Sequence, residues 1–151
     1  MNEPWQELMT LALQEAEQAG ERGEVPVGAV IAGPEGAVIA RAGNRIREMR
    51  DPTAHAEMLA IRAAADHLNN ERLSGCDLVV TLAPCAMCAG AISLARLARV
   101  VYAAEDSKGG AVLHGPRLFE QPTCHHRPEV VAGPGHGRSA TFLRNFFRER
   151  R

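Results

Sequence analysis

The sequence predicts a single three-layer α/β/α domain with a mixed β-sheet at its centre. Three features predict it: an amphipathic helix near the N-terminus, a β-hairpin directly after it, and then strands that alternate with helices. The chain has 151 residues, of which 46% are hydrophobic and 23% charged, as is typical of one globular domain. No linker, repeat or low-complexity segment interrupts the sequence, so we expect residues 1–151 to form one domain.

The first elements are a helix and a hairpin. Apolar residues recur at helical spacing over residues 5–20, and we expect Gly20 to cap the end of this helix. The runs 25–31 and 37–42 are both rich in β-forming residues. They flank the Gly-Pro-Glu-Gly turn at 33–36, so the two runs should pair as antiparallel strands.

The middle of the chain predicts a helix, a strand and a second helix. The Ala-rich helix covers about residues 54–68, with Thr53 as its N-cap. Residues 77–82 form a short apolar run with β-branched side chains, which is typical of a buried strand. The next helical stretch opens at Pro84 and continues to about Arg96, and proline is favoured at such openings.

The last third of the chain predicts two further strands and a final helix. The strands are expected at residues 99–104 and 129–132. Glycine and proline dominate the intervening stretch, so we expect loops there, with a short helix around 117–120. The final helix is predicted over residues 139–150.

Composition excludes several classes of protein. The longest apolar run falls well short of the ~18 to 20 residues of a membrane span, and the N-terminus lacks the pattern of a signal peptide. We therefore expect a soluble, cytoplasmic protein without membrane contact. Four cysteines are too few and too unevenly spaced for a disulfide scaffold. The close pair Cys85 and Cys88 points to metal binding or catalysis, whereas Cys76 and Cys124 are expected to be ordinary buried or half-buried thiols.

Charge is unevenly distributed along the chain. A formal net charge of −1 argues by itself against a nucleic-acid partner. Residues 1–24 are acidic, however, and the last fourteen residues are basic. A second basic cluster comprises Arg41, Arg45, Arg47 and Arg50. Such clusters are usually solvated surface, so they bear on function only if they lie beside a reactive site.

Two short motifs carry the candidate chemistry. Cys85 and Cys88, three residues apart at the start of a predicted helix, can bind one metal ion, and the helix N-terminus favours their thiolate form. His55 supplies a third ligand, and a set of two cysteines and one histidine suits zinc. Three protein ligands leave one coordination position open, as in catalytic zinc sites.

Glu57 offers that open position a carboxylate that can accept a proton from water, provided that the site lies off the helix N-terminus. Alternatively, Glu57 only stabilises the helix dipole. Two other interpretations of the Cys-x-x-Cys motif are weaker. A redox pair would not need a His-x-Glu motif on another helix, and a zinc ribbon would need a second Cys-x-x-Cys motif, which the sequence lacks.

His55-Ala-Glu57 and Pro84-Cys-Ala-Met-Cys88 together match the known signature of the zinc-dependent nucleoside and nucleobase deaminases. Over nearly its full length the chain resembles one branch of this family, the bacterial tRNA-specific adenosine deaminases. The other matching stretches are 24–30, 44–45, 51–57, 81–82, 84–90, 99–102, Asp106, Lys108 and 146–151. The resemblance implies a cytidine deaminase-like fold with a five-stranded mixed sheet, a homodimer, and conversion of the wobble adenosine of a tRNA anticodon stem-loop to inosine.

The resemblance also implies the catalytic roles. His55, Cys85 and Cys88 would hold one zinc ion per subunit, which activates water for attack on C6 of the adenine. Glu57 would take the proton of that water and pass it to the ring nitrogen and then to the leaving ammonia. The target base must leave the anticodon loop, which costs little in a strand that is already unpaired.

Further implied roles concern the base pocket. Asn44 would read the base edge, while Val27 and Ala29 would line the pocket wall. The backbone around Ala56 and Cys85 would contact the region of the leaving group. From the residues alone, Asn44 could equally stabilise a turn.

The remaining implied contacts are to the RNA. Asp106 would accept a hydrogen bond from the ribose 2′-hydroxyl, and Phe147 and Arg150 would contact the loop nucleotides from the last helix. Alternatively, Asp106 pairs with Lys108, and the phenylalanines at helical spacing are core residues instead of a stacking surface. We expect one phenylalanine of the 146–147 pair to belong to the core and the other to be exposed.

One position departs from the family, and two rival functions stay open. The family usually has glutamate just before the Pro-Cys pair, where this chain has Ala83, so any family contact made by that carboxylate is in doubt. The rivals are a deaminase of a free nucleobase such as guanine or cytosine, and a zinc-stabilised binding module without catalysis. Glu57 and the missing fourth ligand argue against the binding module, and the arginine-rich last helix favours a tRNA substrate over a free base.

Overall fold

The computed structural model describes residues 3–149 and has four helices and five strands within them. In chain order the elements are α1 (Glu3–Glu21), β1 (Gly28–Ala32), β2 (Val38–Gly43), α2 (Ala56–Leu68), β3 (Asp77–Leu82), α3 (Ala86–Leu94), β4 (Arg99–Ala104), a 3-10 turn (Leu118–Glu120), β5 (Glu129–Ala132) and α4 (His136–Glu149). The strand order is β2-β1-β3-β4-β5. Pairing is antiparallel on both sides of β1 and parallel from β3 to β5, which confirms the predicted mixed five-stranded sheet.

The sheet separates two apolar clusters, one on each face. Alternating residues of the central strands point to opposite faces, because side chains alternate along a β-strand. Val30, Val79 and Val101 pack with residues of α1 and α4. Ile31 and Leu78 point to the other face and pack with residues of α2 and α3. The helices therefore form the outer layers of the predicted α/β/α domain.

α1 lies directly against the start of β1. A Cβ atom added to Gly28 would lie 1.9 Å from the carbonyl oxygen of Ala12, so only glycine permits this close approach. Among residues 3–149, no helix is both long enough and apolar enough to span a membrane.

Two predicted helix caps are wrong. α1 continues to Glu21, and the left-handed conformation after it belongs to Gly23 (φ 87°) instead of Gly20. α2 begins at Ala56, after an extended His55, so Thr53 is not its N-cap. The Thr53 hydroxyl donates a hydrogen bond to Asp51 Oδ1 at 2.7 Å and stabilises the preceding turn.

The predicted strands 77–82, 99–104 and 129–132 are confirmed residue for residue. The helices agree less well at their ends. α3 starts at Ala86, after an extended Cys85, and it stops at Leu94 because the chain turns at Arg96 with a φ of 64°. α4 begins at His136, three residues before the predicted start.

Candidate metal and catalytic site

The N-terminal ends of α2 and α3 meet at the candidate site. His55 and Cys85 are the residues that precede the two helices, and both have extended backbone (ψ 153° and 176°). Cys88 lies in the first turn of α3. Neither His55 nor Cys85 uses its side chain to cap its helix, so all three ligand side chains are available to one point in space.

The geometry of these three residues fits zinc. His55 Nδ1 lies 3.6 Å from Cys88 Sγ and 3.8 Å from Cys85 Sγ. Tetrahedral zinc with ordinary Zn–N and Zn–S bonds separates a nitrogen and a sulfur ligand by about 3.6 Å. Within residues 3–149 this is the one group of three or more histidine, cysteine or acidic side chains that brings its ligand atoms together. The predicted ligand set is therefore assembled in the fold.

The environment of Cys85 favours the ligand form of its thiol. Hydrogen bonds from the Cys88 thiol and the His55 ring lower the pKa of Cys85 to about 4. The pKa of Cys88 is raised, because the Cys85 sulfur accepts its proton and because the thiol is buried. The bond to Cys85 also raises the pKa of His55. Cys85 is thus a thiolate at neutral pH, which is the form that binds zinc.

The other two cysteines lie elsewhere. Cys76 is buried, and burial raises the pKa of its thiol. Cys124 is half-buried beside the Ser93 hydroxyl, 3.5 Å from its oxygen. The prediction that both are ordinary thiols is confirmed.

Glu57 lies beside the metal ligands in the first turn of α2. Its side chain is only 4% exposed, and this burial raises the pKa of its carboxyl to about 7. Because His55 is extended and precedes the helix, both residues face the same cavity although they are only two positions apart. A buried carboxyl with this pKa can both accept and donate a proton near neutral pH.

These residues share a small cavity that we call the inner pocket. Its volume is about 170 Å³, and its walls are mainly apolar. The lining residues are Val25, Val27, Asn44, Ile46, His55, Glu57, Leu82, Ala83, Cys85 and Asp106. A mainly apolar pocket with a few polar groups at one end suits a flat ring whose reactive edge faces those groups.

Only some of the residues predicted for the base pocket line the inner pocket. Val27 lines the inner pocket as expected, but Ala29 is fully buried within β1 and does not reach it. The amide nitrogen of Ala56 donates to Asn44 Oδ1 at 2.7 Å. Asn44 Nδ2 in turn donates to the carbonyl oxygen of Val25 at 3.1 Å, and Asn44 lines the pocket. Asn44 therefore stabilises the local backbone and is also part of the pocket wall.

A second cavity, the outer groove, adjoins the inner pocket and shares Val25, Leu82 and Asp106 with it. Its volume is about 470 Å³, and it runs between the loop of residues 105–109 and the side chains of Leu143 and Phe147 on α4. The inner pocket and α4 are thereby connected along one continuous surface.

The phenylalanine pair on α4 agrees only in part with the expectation of one core ring and one exposed ring. Phe147 is 52% exposed and faces the outer groove. Phe146 is half-buried instead of belonging to the core, and the two rings meet edge to face at 5.3 Å. Arg150 lies outside the described residues.

Asp106 and Ala83 both make hydrogen bonds to or through the main chain near the inner pocket. Asp106 Oδ1 accepts hydrogen bonds from the backbone amides of Lys108 (3.1 Å) and Gly109 (2.9 Å). It therefore closes the loop through main-chain contacts, and Lys108 takes part through its amide nitrogen. Ala83 is buried in the pocket wall, and its amide donates to the carbonyl oxygen of Ala104 at 2.8 Å.

Sequence reasoning missed three apolar residues of the pocket wall: Val25, Ile46 and Leu82. Val25 and Leu82 stand at the ends of predicted β-runs, where a side chain leaves the sheet core. Ile46 is a single apolar residue between two arginines of the second basic cluster, which is the one sequence signal that could have indicated a buried contact.

This chain is similar to known proteins in both sequence and structure. Residues 2–104 match the family model of the cytidine and deoxycytidylate deaminase zinc-binding region. A tRNA-specific adenosine deaminase from Agrobacterium fabrum is 59% identical over 143 residues, which cover 95% of this chain and 93% of that protein. A solved structure from a study of A-to-I editing by tRNA deaminases at the wobble position aligns with a TM-score of 0.89 at 57% identity, covering 91% of this chain and 99% of that one. The structure of a guanine deaminase from Bacillus subtilis aligns with a TM-score of 0.65 at 30% identity, covering 95% and 93%.

Proposed function

Because this chain belongs to the cytidine and deoxycytidylate deaminase zinc-binding family, we propose that it hydrolytically deaminates the wobble adenosine of a tRNA anticodon to inosine. One structural observation carries the proposal. The inner pocket with its metal ligands and buried Glu57 continues into a groove beneath the exposed ring of Phe147. A free base needs only the inner pocket, whereas a base that is part of an RNA loop needs a surface for its neighbours.

His55, Cys85 and Cys88 are the residues that would hold the zinc ion, one per subunit. When bound, zinc supplies a Lewis acid that makes water acidic enough to be used as a nucleophile near neutral pH. The chain itself supplies the ligand geometry, because the two helix starts fix the nitrogen and the sulfurs at tetrahedral separations.

Glu57 is proposed as the group that moves protons during the reaction. It accepts a proton from the attacking water and passes it to the ring nitrogen. It then takes the proton of the new hydroxyl group on C6 and transfers it to the departing amino group, which leaves as ammonia, so that Glu57 ends ionised as it began. Its burial supports this role, because burial raises the pKa of the carboxyl above its ordinary value, which favours proton donation as well as acceptance. The apolar wall around it keeps bulk water away, which strengthens its interaction with the substrate.

We propose that the base is held by the pocket wall and that the sugar is recognised at its mouth. Val27 and Asn44 line the wall, and Asn44 is proposed to read the base edge. Asp106 stands where the inner pocket meets the outer groove, and it is proposed to accept from the ribose 2′-hydroxyl.

The outer groove and α4 are proposed to bind the anticodon stem-loop outside the target nucleotide. Phe147 offers an exposed aromatic face on which a loop base can stack. Arg144 and Arg148 line the surface next to Phe147 and offer cations to the phosphates. The same role is proposed for Arg150, which follows Arg148 by two positions in the sequence.

The assembly is proposed to be a homodimer in the cytoplasm, where a tRNA substrate is found. Leu94 at the end of α3 supports a second copy, because its side chain is 82% exposed beside a groove lined by Gly90, Ser93 and Leu118. Light scattering coupled to size exclusion measures the mass directly.

The function is tested with the zinc-loaded protein and five substrates. These are an anticodon stem-loop with a wobble adenosine, the same stem-loop with deoxyadenosine at that position, and free adenosine, guanine and cytosine. Inosine formed in the ribose stem-loop, slower reaction of the deoxy form and no turnover of the free compounds support the proposal. Turnover of a free base alone would replace it with the rival function, for which the likeness to a guanine deaminase is the support.

A further inference from the structure

Glu24 carries a buried carboxylate that has no part in the site described so far. Its side chain is 2% exposed, and no arginine or lysine of residues 3–149 forms an ion pair with it. Instead, Oε1 accepts a hydrogen bond from the backbone amide of Arg47 at 3.1 Å, and Oε2 accepts one from that of Glu48 at 2.9 Å. Burial of a carboxylate is costly unless it is hydrogen-bonded, so these two amides compensate for its loss of water.

The two amides belong to the turn of residues 44–51, which forms one wall of the inner pocket. Its backbone is closed by a hydrogen bond from the amide of Asp51 to the carbonyl oxygen of Ile46 at 3.0 Å. Asn44 and Ile46 of this turn line the pocket. Glu24 lies just beyond the end of α1, and its amide donates to the carbonyl oxygen of Ala19 in that helix at 2.9 Å, so its carboxylate connects the end of α1 to the pocket wall.

The same wall is joined to the start of α2. Asn44 donates to the carbonyl oxygen of Val25 at 3.1 Å and accepts from the amide of Ala56 at 2.7 Å. Ala56 stands between the ligand His55 and the proton carrier Glu57. A displacement of the turn would therefore alter both the shape of the pocket and its distance from the reacting groups.

We propose that Glu24 is a positioning residue for deamination, which holds the 44–51 turn against the inner pocket and keeps the bound base aligned with Glu57. This inference rests on the proposed function. Misplacement of a substrate by about 1 Å can cost about 100-fold in rate, so loss of the clamp should lower kcat by about 10- to 100-fold. RNA affinity comes mainly from contacts outside the pocket, so KM should stay within about threefold.

The test compares Glu24→Gln with Glu48→Gln. Glutamine keeps the size of Glu24 but replaces one acceptor oxygen by an NH₂ group that faces a backbone N–H. Glu48 is a matched control in the same turn, because its exposed carboxylate contacts only the side chains of Arg22 and Arg45. We would measure kcat and KM on the wobble stem-loop per bound zinc, and amide hydrogen exchange of residues 45–51.

The expected result is a lower kcat and faster exchange at Arg47 and Glu48 in Glu24→Gln, with neither change in the control. An unchanged kcat in a zinc-loaded Glu24→Gln protein that melts cooperatively would overturn the proposal, and so would a rise in KM alone. If Glu24→Gln does not fold, Glu24→Asp gives the same test, because it keeps the charge on a side chain one methylene shorter. Failure of the wild-type protein to deaminate the stem-loop counts against the proposed function, and the exchange comparison then still decides whether Glu24 holds the turn.

Discussion

Replacement of Ser139 by alanine tests how α4 is attached to the sheet. The Ser139 side chain is fully buried, and its hydroxyl donates to the carbonyl oxygen of Thr81 at 2.6 Å, near the end of β3. Ser139→Ala removes the donor and leaves that buried carbonyl without this partner, which costs about 1 to 3 kcal/mol. For a chain of this length, a loss of ~2 kcal/mol lowers Tm by about 4–8 °C.

The assay is thermal and urea unfolding of the zinc-loaded protein, followed by measurement of stem-loop affinity. Thr141→Ala is the control, because it removes a hydroxyl from an exposed position of the same helix. We expect Ser139→Ala to lose stability and also to bind the stem-loop more weakly, since α4 carries Phe147 at the outer groove. A free energy of unfolding equal to that of the control would refute the reasoning.

Three further predictions concern the site, the RNA surface and a thiol. Glu57→Gln should retain zinc and fold but lose about 10² to 10⁴ in kcat, and activity near that of the wild type would contradict the proton-transfer role. The double change Arg144→Ala and Arg148→Ala should lower the slope of log affinity against log salt concentration for stem-loop binding by about 1 to 2 units, at about 0.7 per phosphate contact. The control Arg62→Ala on α2 should leave this slope unchanged. An equal slope in all of these proteins would mean that α4 makes no phosphate contact. Burial raises the pKa of the Cys76 thiol, so its alkylation in the folded protein should be slow at pH 8. The rate should increase only when the pH rises above the ordinary pKa of a thiol. Rapid labelling at pH 8 would contradict the burial of Cys76.

The elements that were predicted correctly are those whose signal is local. The strands at 77–82, 99–104 and 129–132 stand out as short apolar runs between turn residues, and their bounds are confirmed. The cap at Gly20 was wrong because α1 continues past this glycine and ends before a second one, Gly23, which has the left-handed conformation. The cap at Thr53 was wrong because the start of α2 depends on a contact that the neighbouring sequence does not show. α2 begins at Ala56, whose amide meets the side chain of Asn44, twelve residues earlier in the chain.

The same distinction between local signals and distant contacts applies to the candidate site. His55, Cys85 and Cys88 were found because two short motifs with metal-ligand spacing keep their chemical meaning without any tertiary information. Ala29 was expected in the pocket wall, but β1 turns its side chain into the fully buried core. Pocket walls depend on which strand neighbours lie side by side, and residue types alone do not determine this.

By itself the sequence determined the fold class, the three candidate zinc ligands and the nearby carboxylate, because periodicity and spacing act over a few residues. Only the tertiary structure decided that Glu57 is buried, that the inner pocket adjoins the outer groove lined by Phe147, and that the Glu24 carboxylate accepts hydrogen bonds from the amides of Arg47 and Glu48. Burial and hydrogen bonding across the fold depend on contacts between distant segments, and packing selects among many arrangements that the local sequence equally permits. The residues that carry the chemistry are therefore encoded in the motifs, whereas the raised pKa of Glu57 and the access of substrate to the site are properties of the packed domain.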